Sequence, residues 1–176
     1  MITRGYCVTM ARYNAWQNSQ LREILKAMDE AEGARNRGAF FGSVLGTLNH
    51  LMWGDAIWTA RFDGGASFDV GVEESVTLFA SLVEWLPARA EMDARISRWA
   101  EVVSDAALQG SLRYYSGIKG VELSKPMAIC VVQLFNHQTH HRGQVHAMLT
   151  AAGSPAPVSD LPFMPGDGLG ASGGGI

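Results

Sequence analysis

Four long stretches of this sequence carry apolar residues at i, i+3 and i+4 spacing, and the alternation typical of strands is almost absent. The stretches predict helices over residues 3–28, 39–62, 72–105 and 126–152. Short links separate them, and Asp63-Gly64-Gly65 is a strong terminator of the second. Four long helices with short links and no sheet predict an all-α fold, an antiparallel four-helix bundle.

Three local signals modify this pattern. Pro87 falls inside the third predicted helix, where we expect a kink or a break. Residues 112–117 read as a short strand or hairpin arm before the last helix. Ser124 is the expected N-cap of that helix, with Pro126 in its first turn.

The length of the chain, 176 residues, predicts one domain. We expect a bundle over residues 1–162 and a Gly-rich C-terminal tail over residues 163–176. The tail carries too little apolar surface to order itself, so its last ten residues are expected to be mobile.

Composition excludes several classes of protein. The net charge is −3 and both signs are mixed along the chain, which argues against a nucleic-acid partner. No apolar run reaches the roughly 18–20 residues that span a membrane. Cys7 and Cys130 are too few for a disulfide framework, and the N-terminal residues lack the apolar core of a signal peptide. We therefore expect a cytoplasmic protein.

Four of the five histidines lie on the last predicted helix. His137 and His141 are four residues apart and share a face, although His137 and His140 form a competing pair. The apolar arc of the helix includes His141 and has His137 at its edge, whereas His140 faces away and His146 borders the far side. A metal inside the bundle would therefore take His137 and His141. Arg142 also falls within the arc, and the sequence offers no account of it.

The second predicted helix offers two further candidates, His50 and Asp55. Its periodicity places Asp55 inside the apolar stripe and His50 well outside it. The stripe consists of Phe40, Val44, Leu48, Leu51, Trp58 and Phe62. An unpaired buried carboxylate is costly, so Asp55 needs a metal, an arginine or a histidine N–H as partner. By this pattern alone, Asp55 is as good a functional candidate as His50.

Three segments resemble the DinB/YfiT-like family of metal-dependent bundle proteins. They are residues 13–16 (Tyr-Asn-Ala-Trp), residues 48–51 (Leu-Asn-His-Leu) with the following Asp55, Trp58 and Arg61, and residues 135–144, which carry the His-Gln-Thr-His-His-Arg-Gly-Gln run. The resemblance extends from the first helix to about Pro162. It implies an up-down-down-up bundle, often a homodimer, with one divalent ion on three histidines. By position these are His50, His137 and His141.

The resemblance leaves two functions open. Family members of known activity include transferases and isomerases in which a small thiol binds the metal, and three protein ligands leave a position open for such a thiol. The alternative is a non-enzymatic, stress-related metal-binding bundle with a structural ion. Imidazole ligands suit zinc or nickel. We expect Asp55 or Gln144 to orient a ligand from behind, and exposed aromatic side chains to contribute to a homodimer interface.

Overall fold

A computed structural model describes residues 2–117 and 119–166. Over these residues the chain is mainly helical, with one two-stranded antiparallel hairpin. The helices are α1 Arg4–Lys26, α2 Glu30–Ala34, α3 Val44–Asp63, α4 Leu82–Val102, α5 Asp105–Gln109 and α6 Met127–Ala151. The strands are β1 Ser111–Ser116 and β2 Val121–Pro126. Short 3₁₀ turns cover Glu74–Thr77 and Leu161–Phe163.

The four long helices pack in a ring, α1 on α4, α4 on α3, α3 on α6 and α6 on α1. The first pair is antiparallel, because Arg4 at the start of α1 bonds to Glu101 near the end of α4, and to Asp105. Helices α3 and α4 run parallel, since Leu48 meets Trp85 near their beginnings and Phe62 stacks on Trp99 near their ends.

The direction of α6 completes the topology. It runs parallel to α1, because Tyr6 contacts Phe135 and Asn14 contacts Arg142 further along both helices. The order is therefore up-down-down-up, as the family resemblance implied. The long connection over residues 64–81 returns the chain to the end of the bundle at which α3 began.

Helix α4 is shorter than the predicted helix over 72–105. The first ten residues of the predicted helix, 72–81, are not α-helical. Ser81 is the N-cap of α4 and accepts a hydrogen bond from the N–H of Glu84. Of the kink or break expected at Pro87, the break is absent, because α4 continues through this residue to Val102. Ser104 then caps α5 as a separate short helix.

Helix α3 begins at Val44, five residues later than predicted, and Ser43 is its N-cap. The preceding residues form a turn in which Gly38 and Gly42 have positive φ angles of 71° and 75°. Phe40 lies in this turn with 85% of its surface exposed, so its predicted place in the apolar stripe was wrong. Short helix α2 was not predicted.

The strand expected over 112–117 is present as β1, and a second strand pairs with it. Ser124 lies in that second strand opposite Arg113, so it is not the N-cap of the last helix. Pro126 occupies the cap position instead, and α6 begins at Met127. The end of α6 agrees with the prediction, with Gly153 at a φ of 78° after the cap residue.

Helix α3 lies at the centre of the packing and is buried over almost all of residues 44–56. It contacts α6, α4, α2 and the connection over residues 64–81. Because α3 is covered on several sides, its apolar periodicity is weak, and the predicted stripe could not tell whether His50 is buried. His50 is in fact 6% exposed.

The segment that follows α6 packs against α1. Tyr13 donates a hydrogen bond to the carbonyl of Ser159, and Gln17 donates one to the carbonyl of Val158. Met164 is buried. The ten residues expected to be mobile, 167–176, lie outside the described residues. None of the described helices has both the length and the apolar character needed to cross a bilayer.

Candidate metal centre

Three histidines meet between the antiparallel helices α3 and α6. His50 comes from α3, and His137 and His141 come from α6. One ring nitrogen of each lies within 4.8 Å of the others, a spacing at which they could hold one metal ion. His140 is exposed, and neither His140 nor His146 belongs to this group. The pair that the helical face favoured, His137 and His141, is therefore the pair that the structure brings together with His50.

The ring of His50 is fixed by Ser75, in the connection between α3 and α4. His50 Nδ1 lies 2.9 Å from Ser75 Oγ, which donates its own hydrogen to the carbonyl of Val72. A serine hydroxyl has one hydrogen, so Ser75 can only accept from His50. Nδ1 of His50 therefore carries the proton, and its Nε2 keeps a free lone pair.

His141 is fixed in the same way by a residue of its own helix. Its Nδ1 lies 2.8 Å from Gln144 Oε1, and an amide oxygen can only accept. The amide nitrogen of Gln144 faces His140 Nε2 at 3.4 Å, which agrees with this orientation of the amide. Gln144 thus hydrogen-bonds to Nδ1 of a candidate ligand, and Nε2 of His141 is left with its lone pair.

His137 has no such hydrogen-bonding support. Its Nε2 lies 3.1 Å from Nε2 of His141, whose lone pair accepts, so Nε2 of His137 is the donor. Nδ1 of His137 is buried, and no group in the described residues hydrogen-bonds to it. A cluster of lone-pair imidazole nitrogens with a buried unpaired nitrogen fits the ligand set of a divalent cation.

Burial keeps these rings neutral. Desolvation, with the neighbouring His141 as a lesser cause, lowers the pKa of His50 to about 4. Desolvation and then the surrounding histidines lower the pKa of His137 to about 3. The pKa of His141 is also lowered, chiefly by desolvation. At neutral pH all three rings are uncharged, which is the protonation state that a metal ligand needs.

Aromatic side chains cover one side of the triad. Phe41, in the turn before α3, stacks on His50 with ring centres 4.0 Å apart and lies 5.4 Å from His141. Trp53 lies 5.5 Å from His50, and its indole N–H bonds to the carbonyl of Val70. These rings keep water from one face of the histidines, which strengthens electrostatic interactions there.

The sequence profile of the DinB family matches residues 1–166 of this chain, including all three histidines. The chain belongs to the DinB family. It is 25% identical over 170 residues to Protein DinB of Bacillus subtilis strain 168, an alignment that covers 88% of this chain and 91% of that protein.

A solved structure supports the fold. The crystal structure of a DinB-like protein from Bacillus cereus ATCC 10987 superposes with a TM-score of 0.57 at 17% sequence identity. The superposition covers 81% of this chain and 90% of that chain. At this identity the likeness concerns the fold of the DinB-family protein and not its activity.

Asp55 of this DinB-family protein pairs with Arg89, and no hydrogen bond joins it to a triad histidine in the described residues. Its Oδ2 lies 2.5 Å from Arg89 of α4, and Arg89 also pairs with Asp93 at 2.9 Å. Burial raises the pKa of Asp55 to about 6 against the opposing charge of Arg89. Of the partners that the sequence allowed for Asp55, the arginine is the one present.

The same interior network accounts for Arg142, which the sequence left unexplained. Arg142 is 7% exposed and donates hydrogen bonds to Asn14 and to Gln138. Asn14 in turn donates to Asp93, so the network joins α1, α4 and α6 beside the triad. Its role is to satisfy buried charges between the helices.

Sequence reasoning missed three residues of the centre: Ser75, Phe41 and Gly54. At Gly54 the backbone of α3 lies against His137. Ser75 was missed because residues 72–81 were predicted as helix, and Phe41 was missed because residues 39–43 were predicted as helix. Gly54 carried a usable signal, since an isolated glycine inside a helix costs about 1 kcal/mol and usually has a packing reason.

A cavity of about 680 Å³ lies near the far ends of α3 and α4. Phe62, Arg95 and Trp99 line it, and no triad histidine does. This cavity is therefore not a pocket beside the candidate metal position.

Proposed function

We propose that this DinB-family protein binds one divalent ion, zinc or nickel, on His50, His137 and His141. The observation that supports this most directly is the convergence of three neutral imidazoles within 4.8 Å. Ser75 and Gln144 hold two of them with Nδ1 protonated and Nε2 free. Imidazole donors suit both metals, and no carboxylate belongs to the group among the described residues, which argues against calcium or magnesium.

The proposal includes an open coordination position that a small thiol can take. The described residues supply no fourth ligand to the group, and a structural site would normally have one. Cys130 precedes His137 by about two turns of α6, roughly 10 Å along the axis. A bound divalent ion lowers the pKa of a coordinated thiol or water and so supplies a nucleophile at neutral pH. A thiol-dependent transferase or isomerase is the reaction class that fits this site best.

The protein's own residues would prepare such a reaction without a side-chain base. Ser75 and Gln144 orient the imidazoles, and Phe41 and Trp53 exclude water from the side of His50. Asp55, the nearest candidate carboxylate in sequence, is held by Arg89. The alternative, a stress-related protein with a structural ion, would need a fourth ligand.

Metal analysis of tag-free protein tests the proposal. We expect about one zinc or nickel ion per chain and, in a screen of small thiols, a thiol whose binding alters the spectrum of the cobalt-substituted protein. Metal coordinated by a fourth protein ligand, with no response to thiols, would favour the structural alternative. Absence of any tight divalent ion would reject both.

We further propose a homodimer in a reducing cytoplasm. Large apolar side chains are exposed at both ends of α4, with Val83 70% and Val102 80% accessible. The two cysteines, Cys7 and Cys130, are free and buried, which suits a compartment that keeps thiols reduced. Sedimentation at tens of micromolar protein should show a species of twice 19.0 kDa, and a 19.0 kDa species would contradict the dimer.

A further inference from the structure

Two of the three histidines are oriented by hydrogen bonds to residues outside the triad, whereas His137 bonds to His141 and its Nδ1 has no partner among the described residues. His137 also contacts the backbone of α3 at Gly54. A β-carbon placed on Gly54 would lie 2.6 Å from Cε1 and 3.0 Å from Nδ1 of His137. Side chains do not approach a β-carbon this closely, so only glycine at position 54 leaves room for the ring where it stands.

We propose that Gly54 is the positioning residue of His137. The ring packs closely against the backbone of α3 at Gly54, and this contact orients it, as the hydrogen bonds to Ser75 and Gln144 orient the other two rings. This inference rests on the proposed function, because Gly54 is proposed to position a ligand of the metal site.

The surroundings of His137 leave the ring little freedom to avoid a larger residue. His141 lies 4.4 Å away and His50 lies 5.3 Å away between ring centres. A methyl group on residue 54 must therefore push the imidazole out of the triad or force α3 and α6 apart. Either change misplaces one of three ligand nitrogens, and metal sites tolerate errors of only a few tenths of an ångström.

A glycine in the middle of a helix also needs a reason. It is less favourable there than alanine, and Gly54 stands eleven residues into α3. Gly143, on α6, is the matched control, because a β-carbon there would meet no atom within 4 Å. Gly143→Ala should raise Tm by about 2–4 °C, the ordinary effect of replacing an exposed helical glycine.

The first experiment titrates Zn²⁺ into tag-free Gly54→Ala and Gly143→Ala against a competing chelator. Gly54→Ala should lose about 10–100-fold in Zn²⁺ affinity, the usual effect of disturbing the support of a ligand, and Gly143→Ala should match the wild type. A folded Gly54→Ala variant whose Zn²⁺ affinity stays within about threefold of wild type would overturn the inference.

A second measurement needs no metal, so it separates this inference from the proposed function. The Cε1–H resonance of His137, assigned by its loss in His137→Ala, should shift in metal-free Gly54→Ala and stay in place in Gly143→Ala. An unshifted resonance refutes the positioning role even if the wild type binds Zn²⁺. A shifted resonance in a protein that binds no Zn²⁺ would reject the proposed function alone.

If Gly54→Ala does not fold, the double variant Gly54→Ala/His137→Ala decides. Removal of the ring removes the clash, so the double variant should fold, and its Tm should equal or exceed that of His137→Ala. A double variant that also fails to fold would show that position 54 excludes a methyl group for some other reason, and the inference would be wrong.

Discussion

Nδ1 of His50 lies 2.9 Å from Oγ of Ser75, so the connection between α3 and α4 fixes the ring of a residue in the middle of α3. The hydroxyl is committed to Val72, and the bond therefore determines the tautomer of His50 as well as its orientation. In metal sites a contact of this kind commonly contributes 10–100-fold to affinity.

Ser75→Ala should accordingly weaken Zn²⁺ binding by about 10–100-fold while the fold is retained. Thr77→Ala is the control, since Thr77 is exposed in the same 3₁₀ turn and its hydroxyl donates to the carbonyl of Glu74. Competition titrations with a chelator give both affinities. Equal affinities in the two variants would show that His50 does not depend on Ser75.

Single alanine substitutions of the histidines test the ligand set. His50→Ala, His137→Ala and His141→Ala should each abolish tight metal binding, because each removes one of three donors. His140→Ala should leave binding largely intact, since His140 is exposed and does not belong to the group of three, and so should His146→Ala. Bound metal measured after gel filtration distinguishes these cases. Loss of metal in His140→Ala with retention in His141→Ala would overturn the assignment.

The helix pair that carries the site was largely predictable from sequence. Helical spacing and the apolar arc of α6 selected His137 and His141 over His140 without any structural knowledge. His50 was not predictable in this way, because α3 is covered on nearly every side and presents no single apolar face. Only the resemblance to a known family pointed to it.

Other parts of the site depend on contacts between distant segments. Ser75 and His50 are 25 residues apart, and the part of the connection that carries Ser75, residues 72–81, was predicted as helix. Phe41 was predicted inside a helix that in fact begins after it, at Val44. Periodicity reports the burial of a residue within one element, so it carries no information about which loop covers another element.

The metal-free protein should lose stability as the pH falls below about 6.5. In the unfolded chain the histidine pKa is about 6.5, whereas burial lowers the pKa of His50 to about 4 and that of His137 to about 3 in the folded protein. The unfolded state therefore binds more protons over this range, and the free energy of unfolding falls as pH decreases from 6.5 towards 4 and below.

Urea unfolding of metal-free protein at several pH values measures this dependence. The double variant His50→Gln/His137→Gln removes both groups and should show a shallower decline between pH 6.5 and 4. Parallel curves for the variant and the wild type would mean that these two rings do not carry the pH dependence.

The last prediction concerns the buried charges beside the site. Arg89 is fully buried between Asp55 and Asp93, so Arg89→Met leaves two carboxylates in the interior without their cation. Breaking a buried pair in this way typically costs about 3–5 kcal/mol of the free energy of unfolding. Glu23→Gln is the matched control, because its pair with Lys26 lies on the surface, and exposed pairs contribute roughly 0–1 kcal/mol. Urea denaturation at pH 7 gives both values.

Since no triad histidine bonds to Asp55 within the described residues, Arg89→Met should keep its Zn²⁺ affinity wherever it remains folded. A folded variant with weakened Zn²⁺ binding would mean instead that the charged network helps to hold α3 and α6 at the spacing that the three imidazoles require.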